Sequence, residues 1–100
     1  MSRRLIVRAE AEFDITEVAL WYESREPGLG FEVTAEIRAA IQHAQQNPLG
    51  YVRLRQHPHV RRVLVRRFPY RVFYIVRADA IVVFAVIHAA RHDRQWKRRL

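Results

Sequence analysis

Apolar residues recur along this chain with two different periods, and the switch between them separates a helical part from a β part. Between residues 9 and 26, Ala11, Ile15, Val18, Ala19 and Tyr22 fall at i, i+4, i+7, i+8 and i+11, which is one face of a helix. Glu10, Glu12, Asp14 and Glu17 occupy its early turns, where the helix dipole favours negative charge, and Pro27-Gly28-Leu29-Gly30 ends it. Residues 30–46 repeat the spacing in Val33, Ile37, Ala40, Ile41 and Ala44, until Asn47-Pro48 stops the second helix. Neither helix can bury its stripe alone, so the pattern predicts an antiparallel helix hairpin laid on one face of a sheet.

The sheet comes from residues 60–88, where Val, Ile, Phe and Tyr dominate three runs at 60–68, 70–77 and 80–87. Pro69 and Ala78-Asp79 are breaks too short for a crossover, so successive runs must pair antiparallel as a meander. The third run is apolar on both faces until His88, which predicts cover on both sides and a further neighbouring strand. Leu5-Ile6-Val7, set between arginines, reads as a short edge strand. Residues 49–59 read as an irregular connection and residues 89–100, with His92 and Trp96, as a short helix or tail. The expected fold class is α+β: one domain over residues 1–100, a helix hairpin packed on a small antiparallel sheet, in the order β-α-α-β-β-β with the C-terminal helix or tail.

Charge adds a second division. From Glu10 to Glu36 there are eight acidic residues against Arg25 alone, while from Ile37 onward there are fourteen basic residues against Asp79 and Asp93. Such asymmetry implies a basic surface that meets a polyanion or an acidic partner. Of eighteen basic side chains only Lys97 is lysine, and arginine's fork suits bidentate contact with phosphate or carboxylate. The absence of cysteine excludes disulfides and thiolate zinc sites. With no apolar run long enough for a membrane span, and no signal-peptide pattern, a cytoplasmic protein without membrane contact is expected.

Neither a metal site nor a cofactor loop has the required spacing. His57 and His59 flank Pro58, His88 and His92 lack a third ligand, and Gly28-Leu29-Gly30 is too short for a phosphate cradle. The remaining constellation is basic and aromatic. With a period of two, Arg62 and Arg66 flank Leu64 on one face of the first run, and Arg61 and Arg67 flank Val63 and Val65 on the other. Arg71 shares a face with Phe73, while Tyr70 lies opposite. Arginines could hold a scissile phosphate, a histidine could move a proton and an aromatic ring could stack a base, which together would suffice for RNA cleavage through the 2′-hydroxyl without metal. On this reading Arg67, Arg71, His88 and Arg91 are the catalytic candidates, and Arg62, Arg66, Tyr70 and Trp96 are candidates for holding a substrate or target. The plain alternative is a solvated arginine face over aromatic core residues.

The order of elements resembles the RelE/ParE superfamily of bacterial type II toxin-antitoxin systems. The resemblance is carried by Trp21-Tyr22-Glu23, by Pro27-Gly28-Leu29-Gly30-Phe31, by Asn47-Pro48, by Arg67-Phe68-Pro69-Tyr70-Arg71-Val72, by His88 and Arg91, and by Trp96. It implies a toxin neutralised by a cognate antitoxin that offers an acidic and apolar segment. RelE-like members of the superfamily cut messenger RNA on the ribosome, whereas ParE-like members poison DNA gyrase. Arg67 or Arg71 and Arg91 fall where RelE-like enzymes keep arginines. Arg53 and Arg55 stand where those enzymes have lysines, and Trp96 stands near the place of a catalytic tyrosine. The helix-hairpin text from Trp21 to Phe31 is similar to the ParE side. The resemblance therefore implies a gyrase-poisoning toxin, with a ribosome-dependent ribonuclease as alternative and a non-toxic nucleic-acid-binding module as a third reading.

Overall fold

The computed structural model describes residues 3–91 and 94–100, so His92 of the expected C-terminal helix or tail lies outside the described residues. The elements are β1 (Arg4–Val7), α1 (Ala9–Arg25), α2 (Leu29–Gln46), a 3-10 turn (Pro48–Gly50), β2 (Arg53–Leu54), β3 (His57–Leu64), β4 (Tyr70–Val76), β5 (Ala80–His88) and α3 (Arg94–Lys97). They form one five-stranded sheet in the order β1-β5-β4-β3-β2. The expected meander is present as β3, β4 and β5, paired antiparallel. β1 joins the far side of β5 in parallel, so the sheet as a whole is mixed. β2 is the element the sequence did not announce: two residues of the expected irregular connection turn back to pair with β3.

The hairpin joint follows from glycine. Gly28 adopts φ 90, a left-handed conformation that costs side-chain-bearing residues energy, and lets α2 start within a few residues of α1. Glu23 in the last turn of α1 then takes the Gly28 and Gly30 backbone N–H groups at 2.9 and 3.0 Å, satisfying donors left open at the start of α2. At Gly30 the two helices approach so closely that an added Cβ would sit 2.6 Å from the Ala19 carbonyl oxygen.

Two apolar layers enclose the sheet. On the helix side, Ile15, Val33, Ile37 and Ile41 meet Val63, Val72, Tyr74, Ile81 and Val83. On the outer side, Val60, Phe73, Phe84, Ala85 and Ile87 are covered by Trp96 of α3. β5 serves both layers because it carries a bulge: Phe73 faces Ala85 and Tyr74 faces Val83, leaving Phe84 as the extra residue. Past the bulge the alternation inverts, so Val86 joins the helix-side layer while Phe84, Ala85 and Ile87 all belong to the outer one.

Tyr74 is fully buried and donates its hydroxyl hydrogen bond to the Pro48 carbonyl at 2.8 Å, tying the 3-10 turn to the sheet. Burial pushes its phenol up to about 12 from the ordinary 10. Because the folded value lies above the unfolded one, this contribution is complete below pH about 10 and is lost as pH rises through about 12. At 1.36 kcal/mol per unit the loss is roughly 2–3 kcal/mol. Chemical denaturation at pH 9 and at pH 12 is expected to show it, and Tyr74→Phe is expected to remove that part of the pH dependence.

Candidate functional site

Two concavities collect the candidate residues. The larger, about 560 Å³, lies between α1 and the end of the sheet, where Trp21 and Tyr22 face Tyr70, His88 and Arg91. Tyr70 opens β4 and His88 closes β5, and the two residues are cross-strand partners with ring centroids 5.2 Å apart. Tyr22 stands edge-on to Tyr70 at 6.2 Å and to Phe68 at 5.1 Å. Burial pushes the Tyr70 phenol up, and neighbouring Tyr22 adds to the effect. The His88 Nδ1 accepts a hydrogen bond from the Ala90 N–H at 3.0 Å, which orients the ring. Asp14 and Glu17 of α1 line the same cleft, so its walls carry both signs of charge.

Asp14 organises the floor of this cleft. β1 ends at Val7, so the edge of β5 beyond Val83 has no strand beside it. Asp14 accepts the Val86 N–H at 2.9 Å on that open edge, and Arg99 donates to the Phe84 carbonyl at 3.1 Å. Asp14 and Arg99 also clasp each other through two contacts of 2.5 and 3.0 Å, which pushes the Arg99 guanidinium above its usual value. One ion pair thereby covers a sheet edge and fastens the C-terminal segment.

The smaller pocket, about 240 Å³, lies on the outer face of the sheet, where Arg55 and His57 of the β2–β3 turn meet Arg62, Phe73, Trp96 and Lys97. Among the described residues no carboxylate lines it. Across the described residues, Arg55, Arg62 and Lys97 form no ion pair. Among the described residues, two buried donors on this face have no hydrogen-bond partner, Arg71 Nε and Trp96 Nε1.

The structure brings some of the sequence candidates together and separates others. Tyr70, His88 and Arg91 share the larger cleft, and Arg62 and Trp96 share the smaller pocket. Arg67 belongs to neither: its guanidinium lies toward α2, 2.8 Å from Glu32 and 3.6 Å from Glu36, which push it above its usual value. The first strand run was expected to reach residue 68 but ends at Leu64, because Arg67 takes the left-handed φ of 72 and turns the chain. Arg66 is exposed in that turn. Arg71 is half-buried opposite Ile87 on the outer side, because the β pleat sends it away from Tyr70. The four catalytic candidates are therefore not one assembly.

Trp96 requires a correction. It is only 3% exposed and stacks on Phe73 at 5.3 Å, so it is a core residue rather than a ring free to stack a base. Asp14, Arg99 and Lys97 were not among the sequence candidates, and Arg55 was noted only as standing where RelE-like enzymes have lysines. Asp14 was findable, since it stands four residues before Val18 and eight before Tyr22 on the inward side of α1. Nothing local distinguishes Arg99 from its neighbours.

The family described as "ParE toxin of type II toxin-antitoxin system, parDE" matches residues 5–93. The chain belongs to this ParE toxin family. Its fold is similar to that in the chromosomal ParDE toxin-antitoxin system from P. aeruginosa, with TM-score 0.78, 19% identity, and 87% of this chain and 96% of that one covered. It is also similar to a mutant of the E. coli toxin RelE in the free state, with TM-score 0.71, 17% identity and coverage of 99% and 95%. RelE in complex with a RelBc antitoxin peptide aligns with TM-score 0.65, 19% identity and coverage of 100% and 96%. At these identities the solved structures establish the common fold. No curated protein sequence matches the chain. No described helix is long and apolar enough to cross a membrane.

Proposed function

We propose that this ParE-type toxin arrests growth in the cytoplasm by binding DNA gyrase, and that a cognate antitoxin holds it inactive. The observation that carries the reading is the separation of Arg67, Arg71 and the His88–Arg91 pair onto three surfaces. Cleavage of a phosphodiester by general acid–base and electrostatic catalysis needs such groups within about hydrogen-bond reach of one reacting centre. Binding needs only a complementary surface. The larger cleft, with exposed Trp21 at its rim and Tyr70 inside, supplies the aromatic and arginine character typical of interface anchors.

An antitoxin partner is supported by the same comparisons, since the similar toxins occur in a ParDE system and in complex with a RelBc peptide. On this chain an acidic and apolar antitoxin segment has suitable ground on the outer face, where exposed Leu64 lies between Arg62 and Arg66 in sequence and opposite Arg71. The ribonuclease reading keeps one point in its favour, the basic outer pocket with Arg55 and Arg62. Induced production in bacteria separates the two. The gyrase reading expects growth arrest with DNA trapped in a cleaved gyrase complex and full-length messages. Arrest with messages cut in the ribosomal A-site codon, abolished by Arg91→Ala, would overturn it.

A further inference from the structure

We propose that the outward face of the helix hairpin binds a second copy of this chain, forming a two-fold dimer with the sheets on the outside. In α1 the exposed positions Ala9, Phe13, Thr16, Leu20 and Ser24 fall at i, i+4, i+7, i+11 and i+15, an uncharged stripe opposite the one that packs on the sheet. In α2, exposed Phe31, Ala35 and Gln42 continue this face. Phe13, Leu20 and Phe31 are 63%, 60% and 80% exposed. Where Gly30 draws the helices together, a shallow groove of about 320 Å³ lies between them, lined by Ala19, Leu20, Phe31 and Thr34. Single exposed apolar residues are ordinary, whereas a contiguous apolar face marks a contact surface.

The polar groups along this face are engaged within the chain. The Thr34 hydroxyl donates to the Gly30 carbonyl at 2.8 Å and the Ser24 hydroxyl to the Trp21 carbonyl at 2.6 Å. Glu23 accepts the Gly28 and Gly30 N–H groups, and Arg38 is paired with Glu12 across the hairpin at 2.6 Å. A partner can therefore cover the face without stranding a donor or acceptor, which is what makes burial there favourable.

Charge selects the occupant. The chain carries a net charge of +8, so two copies meeting through their arginine-bearing sheet faces would repel. On the hairpin the carboxylates of Glu12, Asp14, Glu32 and Glu36 are matched by the chain's own arginines, and the stripe itself brings no like charges together. An acidic antitoxin segment gains nothing from such a face and belongs on the arginines of the sheet. The face also carries both projecting rings and a groove, so a two-fold axis can set Phe31 of each copy against the groove of the other. Helices of 17 and 18 residues run about 25 Å, and side by side they offer a plan of roughly 500 Å² per copy. That lies at the low end of biological contacts, which fits a dimer of about micromolar affinity.

Sedimentation equilibrium of the purified full chain is expected to show a mass rising from 11.9 kDa toward twice that value through the micromolar range. Added salt should favour the dimer, because it screens the net positive charge while leaving the apolar contact intact. Phe31→Ser and Leu20→Arg are each expected to weaken association at least about tenfold, since a two-fold contact carries every change twice. Both side chains are exposed, so circular dichroism should show an unchanged fold. Leu64→Ser removes a side chain that is 65% exposed on the other side of the molecule and is expected to change association less than about twofold. A mass of one chain at every concentration, or a dimer that Leu64→Ser weakens as much as Phe31→Ser does, would overturn the proposal. So would a monomer whose inhibition of purified gyrase is abolished by Leu20→Arg, an outcome that assigns the face to the target instead.

Discussion

Trp96→Ala is expected to cost about 3–5 kcal/mol, the usual range for deleting a buried large aromatic side chain. The ring is the lid of the outer apolar layer: it stacks on Phe73 at 5.3 Å with an interplanar angle of 19°, and His57 meets it edge-on at 5.4 Å. α3 is four residues long, too short to hold itself helical in water, so it leans on this anchor and on the Arg99–Asp14 ion pair just beyond it. Removing the anchor exposes Phe73, Phe84 and Ile87 together. Against a total stability of about 5–15 kcal/mol for such a domain, a loss of this size leaves little margin. Urea denaturation of the variant, followed by circular dichroism, checks it. If Trp96 were instead a surface contact for a target, the variant would be near wild-type in stability and lose only activity.

Asp14→Ala is expected to cost about 2–4 kcal/mol, a large effect for one side chain on a helix surface. Asp14 is 13% exposed and Arg99 25%, so the pair is well shielded from solvent. Removing the carboxylate strands a shielded guanidinium and leaves the Val86 N–H without its acceptor. The sheet edge past the bulge would then lie open beside a loosened C-terminal segment. Asp14→Asn retains an acceptor for Val86 and should recover part of the loss. Combining Asp14→Ala with Arg99→Ala should cost less than the sum of the single changes, because the stranded charge disappears with its partner. Thermal denaturation of the four variants reads this coupling, and strictly additive losses would show that the pair is not a unit.

The helices were legible because a stripe such as Val33, Ile37, Ala40, Ile41 and Ala44 admits one buried face, and all five are buried. The doubly apolar run of β5 likewise announced a central strand, and it lies between β1 and β4. Three features were not legible, each for a local reason. The left-handed turn at Arg67 rests on a single non-glycine residue, with Glu32 and Glu36 holding its side chain from another element. The bulge at Phe84 inverts the inside-outside alternation without any glycine or proline to mark it. β2 is two residues of basic and apolar text that pair only because β3 lies beside them.

The candidate site was legible in residue type but not in grouping. Arginines at 62, 66, 67, 71 and 91 could be counted, yet which of them converge depends on the pleat, on one φ angle and on where α3 returns. Tyr70 with His88 and Arg91 formed one set, and Arg62 with Lys97 another. A single surface was expected, and the separation supports the binding reading that the resemblance already favoured over cleavage.

A titration of purified gyrase with this chain tests that reading most directly. Loss of supercoiling should track the molar ratio of toxin to gyrase and be reversed by the antitoxin, while messages in a translating extract stay intact. Supercoiling that continues at large molar excess, alongside substoichiometric cutting of ribosome-bound messages, would contradict it.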